Sequence, residues 1–232
     1  MVILLEMVKV KTASVRVLHW VIFLATVSLV LTGLYIADPF WLSGSGEAYQ
    51  TFVMAKIRLI HFLSAIALDV AFLVRLYIAF FSLFHTDWTE VLPTPGNLKE
   101  AWNSLRFYWT LEGEQKDYRW IDPFDGITFH LLHLVLILQL FTGFALYVSG
   151  IELAAGIWGI WAKTLHIATD WTLVVFGGLP GVRLMHHFTL WLVVSGAFLH
   201  IYHQIWKTIK LQRADISAIV NGYKLMAVKR GK

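Results

Sequence analysis

Four stretches of this 232-residue chain are each long and apolar enough to cross a lipid bilayer, which fixes most of what the chain can fold into. A span needs roughly 17–25 mainly apolar residues, and Val17–Ala37, Ile57–Phe81, Gly126–Ser149 and Arg183–Trp206 meet that requirement. Composition agrees: 58% of residues are hydrophobic and 15% charged, against about 45–50% and roughly 25% in soluble domains. The expectation is an all-α integral membrane protein, one four-helix transmembrane bundle occupying residues 1–232. The opening Val2–Met7 run is too short for a signal-peptide core and lacks a small-residue cleavage site, so the first span is expected to stay uncleaved.

Lys and Arg set the orientation. Three precede the first span (Lys9, Lys11, Arg16). Four lie in the 82–125 connection (Lys99, Arg106, Lys116, Arg119), and seven follow from Lys207 to Lys232. The other side holds only Lys56, Arg58, Lys163 and Arg183. Positive loops stay inside, so both termini are expected in the cytoplasm, in a multi-pass protein of the cytoplasmic or inner membrane. The basic residues cluster at span ends with no stripe that would serve nucleic acid. Residues 151–179 tempt a fifth span, but Lys163, His166, Asp170 and Gly156, Gly159, Gly177 and Gly178 interrupt them. They read as an outer loop with a Trp-rich interfacial amphipathic helix, suited to docking a partner. The 82–125 connection reads as a cytoplasmic loop with one surface helix around Trp102–Trp109. No internal repeat is evident.

The chain has no Cys, which excludes thiolate-held iron–sulfur clusters, covalent haem attachment, disulfides and a Cys nucleophile. Ten His remain. Ionisable residues inside a membrane are costly, so each raises a functional question. His19 lies at the inner end of the first span, His61 at the outer end of the second, and His186 and His200 in the fourth. The fourteen residues between His186 and His200 fall roughly 40° short of four helical turns, which puts both on one face about 21 Å apart. Depth then pairs His61 with His186 near the outer surface and His19 with His200 near the inner one. Two stacked bis-imidazole pairs suit two non-covalent b haems, with these four His ligating the iron. One such His is more often a hydrogen-bonded packing residue; four at matched depths favour ligation.

Arg16, Arg58 and Arg183 each stand three residues before a candidate ligand and are candidates for a haem propionate, with snorkelling at a helix end as the plain alternative. His187 to His200 is thirteen residues, which turns the two to different faces. His203 sits nearer the cytoplasmic surface, and His85 and His166 look like loop residues. Arg75, His130 and His133 are weaker candidates for a quinone site or a propionate beside the inner haem, and structural roles suit His130 and His133 as well. Asp69 is mid-span and cannot pair with Arg75 along one helix face. Gly33 and Gly143 would let a helix or macrocycle come close.

The sequence resembles the b-type cytochrome subunit of membrane-bound nickel–iron hydrogenases, in the wider group with formate dehydrogenase cytochromes. The stretches that carry this are Arg16-Val-Leu-His19-Trp20 through Leu31-Thr-Gly33, then Ile57-Arg-Leu-Ile-His61-Phe62 and Thr142-Gly-Phe-Ala-Leu-Tyr147. The His186…His200 pair, Arg213-Ala-Asp-Ile and Ile219-Val-Asn-Gly-Tyr223 complete it. The Asn-Gly-Tyr element favours hydrogenase over formate dehydrogenase. His187, Asp69, His130 and His133 fall outside the pattern. The resemblance implies four helices around two b haems, and partners outside the membrane: a small iron–sulfur subunit, whose C-terminal helix packs on the cytochrome, and through it the large subunit. The chain would then be an electron conduit and no enzyme by itself, carrying electrons to quinone near the cytoplasmic side. Against it stand a formate dehydrogenase cytochrome, a haem-free membrane anchor and, least, a transporter, for which no repeated pair of broken helices is present.

Overall fold

A computed structural model describes residues 5–39, 52–112, 116, 118–151, 157–211 and 215–227. Gly156, cited above as a break, lies outside them, as do Arg213 and Ala214. The chain forms two compact units, one of residues 1–127 with 200–232, the other of residues 128–199.

Four helices are long and apolar enough to cross a membrane: α1 (Ala13–Ala37), α2 (Val53–Phe81), α5 (Pro123–Val148) and α8 (Leu179–Lys210). They match the four expected spans and run up to four residues further at most ends. Part of the extension follows from caps. Thr12 takes the N-cap of α1, its hydroxyl accepting from Val15 N at 3.4 Å, which supplies one of the donors a helix start leaves open. Large apolar side chains point outward along these helices, as with Val17, Leu24 and Leu31 at seven-residue intervals on α1. In water that would be a liability; in lipid it is the surface the solvent requires.

Between α2 and α5 stand two helices, where one was expected: the single-turn α3 (Trp88–Val91) and α4 (Pro95–Thr110). Thr94 caps α4 ahead of Pro95, and Asn97 Nδ2 donates to the Thr89 and Leu92 carbonyls, closing the turn between α3 and α4. Residues 157–176 form α6 (Ile157–Thr169) and α7 (Trp171–Phe176). Thirteen residues reach only about 20 Å, short of a hydrocarbon core of about 30 Å, so among the described residues α6 is too short to be a fifth span. His166, expected in a loop, sits on α6 and pairs with Asp170 at 2.9 Å one turn later. Ala162 and Leu165 of α6 pack with Val148 from the end of α5.

The fold departs from all-α at its ends. After the short α9 (Asp215–Val220), β2 (Tyr223–Ala227) pairs antiparallel with β1 (Leu5–Lys9), Lys9 opposite Tyr223. The Asn221-Gly222-Tyr223 element makes this docking. Gly222 adopts φ +91°, and a Cβ there would stand 2.7 Å from the Lys11 carbonyl oxygen. Its own carbonyl accepts from Val10 and Lys11, while Asn221 Oδ1 accepts from Tyr223 N. The pairing holds the segment before α1 against the segment after α9.

Candidate functional site

Within the first unit, α1 and α2 meet through small and hydroxylated residues. Ala25 and Thr32 are buried on α1, Leu68, Ala71 and Phe72 on α2, and Ser28 Oγ and Ser64 Oγ are 2.7 Å apart. Such side chains let membrane helices approach closely. One turn from Ser64, His61 sets its Nδ1 2.8 Å from Thr32 Oγ1. Gly33 stands beside the ring; a Cβ there would lie 3.4 Å from His61 Cε1, an ordinary contact.

In the second unit, α5 and α8 repeat the arrangement. His186 Nδ1 lies 2.9 Å from Thr142 Oγ1, and a Cβ on Gly143 would stand 3.2 Å from His186 Cε1. Gln139 Nε2 lies 3.4 Å from His186 Nε2, and Gln139 Oε1 accepts from the Thr189 hydroxyl. His187 is held differently, its Nδ1 donating to the Arg183 carbonyl of its own helix at 2.8 Å. Gly143→Ala is expected to push the His186 ring by a few tenths of an ångström and to lower haem retention. Gly196→Ala meets only Leu132 Cδ1 at 3.6 Å, an ordinary contact, and should retain wild-type haem. A pyridine haemochrome assay on both purified variants checks this.

His19 on α1 and His200 on α8 both belong to the first unit and lie within electrostatic range of each other. His19 Nδ1 is buried with no hydrogen-bond partner among the described residues. One turn before it, Arg16 Nη1 donates to the Val220 carbonyl, while Arg16 Nε is buried and unpartnered among those residues. Arg58 and Arg183 are exposed. Arg75 gives both its terminal nitrogens to the Asp87 carboxylate, anchoring α2 to the loop after it. His130, His133 and Asp69 are half-buried on their helices.

One cluster escaped the sequence reading. Asp125, in the first turn of α5, accepts from His203 Nδ1 at 2.9 Å, from Gln204 Nε2 at 3.2 Å and from Lys207 Nζ. Tyr108 of α4 sets its ring edge on His203 and donates to Asp122 at 2.7 Å. Lys207, counted above with the C-terminal tail, is a buried residue of α8, since a carboxylate at that depth calls for a cation. The signal was there: an acid at the entry of one span, and His203 and Lys207 four residues apart at the end of another.

Among the described residues no three His, Cys, Asp or Glu side chains gather as a bare metal ion would need. A porphyrin iron takes only two donors from protein, and the residues fit that need. Two imidazoles are seated by hydroxyls with a glycine beside each ring, and a third presents a buried ring nitrogen without a partner.

Residues 10–222 match the prokaryotic cytochrome b561 family. A protein of Rhodobacter capsulatus named "Probable Ni/Fe-hydrogenase B-type cytochrome subunit" is 32% identical over 222 residues, covering 94% of this chain and 81% of its own. Proteins of the same name from Azotobacter vinelandii (30% identical, 94% and 88% covered) and, as hydrogenase 1, from Escherichia coli K12 (29%, 91% and 88%) are also similar. With its four spans and paired imidazole seats, this chain belongs to the prokaryotic cytochrome b561 family, whose b-type members bind haem b.

Proposed function

We propose that this chain is the membrane electron-transfer subunit of a nickel–iron hydrogenase, passing electrons from the iron–sulfur small subunit to the quinone pool. The observation that carries this is the likeness to hydrogenase cytochrome subunits along more than 90% of the chain. It is not an enzyme alone; hydrogen chemistry belongs to the partner subunits.

Two haem b groups are held between His61 and His186 and between His19 and His200, and each, when bound, supplies a one-electron couple. Supporting this, His61 and His186 share the same Thr–Gly seat, and His187 is occupied with its own helix. Arg16, whose buried Nε has no hydrogen-bond partner among the described residues, is the best of the three arginines for a propionate; Arg58 and Arg183 remain candidates at their span ends. The 150–182 segment faces the small subunit outside, and both termini face the cytoplasm. Quinone is reduced near the cytoplasmic end. Arg75, His130 and His133 are candidates there, with Arg75 the least free because of Asp87. The Asp125–His203–Lys207 cluster lies in electrostatic range of His200.

Purified with its partners, the complex is expected to contain nickel, to take up hydrogen, and to show two b haems per copy of this chain in a pyridine haemochrome assay. Molybdenum or tungsten with formate oxidation would assign the chain to a formate dehydrogenase, and absence of haem would make it an anchor.

A further inference from the structure

The repeated Thr–Gly seat fixes more than position. Each threonine hydroxyl carries one proton, and in both cases a backbone carbonyl takes it. Thr32 Oγ1 lies 2.6 Å from the Ser28 carbonyl oxygen and Thr142 Oγ1 2.8 Å from that of Leu138. A carbonyl oxygen only accepts, so towards the imidazole each hydroxyl oxygen must also accept. Nδ1 of His61 and of His186 therefore carries the ring proton, and Nε2 keeps its lone pair. That is the tautomer a metal-binding Nε2 requires.

A hydrogen bond given by Nδ1–H to a fixed acceptor makes the opposite nitrogen more basic. A more basic axial ligand favours ferric over ferrous iron and lowers the potential, one of the levers a protein has over haem. We propose that Thr32 and Thr142 are positioning residues, each holding down the midpoint potential of the haem that its own histidine ligates. This rests on the haem ligands stated under Proposed function.

The test is an optical redox titration of the b-haem α-band in membranes containing the whole complex. Thr32→Val and Thr142→Val keep the shape and remove the acceptor; each is expected to raise the midpoint potential of the haem that its histidine ligates. Thr32→Ser and Thr142→Ser keep the hydroxyl and should restore the wild-type value. A bond that only fastens helices together would leave both potentials unmoved at full haem content, and that result overturns the proposal. Titration of His61→Ala identifies the component: the one that disappears must be the one that Thr32→Val raises, and loss of the other overturns the proposal. If His61→Ala retains both haems, it is the ligand assignment that fails.

Discussion

Replacing His61 or His186 by alanine is expected to remove one of two b haems and to stop hydrogen-driven quinone reduction, while His187→Ala retains both haems. The expectation comes from how each ring is held. His61 and His186 each set Nδ1 at hydrogen-bond distance from a threonine hydroxyl on a neighbouring helix, with a glycine beside the ring. His187 spends its Nδ1 on the Arg183 carbonyl one turn back. Removing a residue that merely orients a metal ligand costs roughly 10–100-fold in metal affinity, and removing the ligand itself costs more, so the variants should purify with half the haem. A reduced-minus-oxidised spectrum with haem stoichiometry reads the result. Full haem in both alanine variants would reject the pairing, and loss of haem in His187→Ala would move the outer ligand by one residue.

The second large effect concerns stability. Asp125→Ala is expected to destabilise the protein by about 3–5 kcal/mol, the cost of breaking a buried ion pair from one side. The side chains of Lys207 and Asp125 are only 5% and 9% exposed, and His203 and Gln204 complete the carboxylate's hydrogen bonds. Without Asp125 the ammonium group stays buried with no counter-charge. The double variant Asp125→Ala, Lys207→Met removes both charges and should recover much of the loss, because buried pairs exchanged whole for apolar residues are often neutral. Thermal inactivation midpoints of the detergent-solubilised complex, compared across the single and double variants, decide it. Equal losses in both would mean that the pair is not what holds α5 to the end of α8.

These two cases mark what was legible in the sequence. The four spans could be found because length and apolarity act within each segment and need no knowledge of neighbours. The four histidines stood out because a polar ring in hydrocarbon demands an explanation. Their seats were harder to see. Thr32 and Thr142 look like ordinary helix residues, since a hydroxyl can satisfy itself on its own backbone one turn back, and both do. The recurrence of Thr-Gly in two spans was on the page, but it acquires meaning only when a second helix brings an imidazole to it. The same holds for Arg75, which reads as a lone cation on α2 until the chain doubles back and presents Asp87. Leu5–Lys9 and Tyr223–Ala227 are five residues each, too short to announce strands without knowing that they pair.

That pairing has a consequence for biogenesis. Strand β1 precedes the four helices long enough to cross a membrane and β2 follows them, so their ladder closes only after those helices have been made. Until then β1 carries an open edge, and open edges invite pairing with other chains. A chain that stalls before β2 is made cannot close the ladder. The two short strands thus pair only once all four of those helices stand between them in the chain.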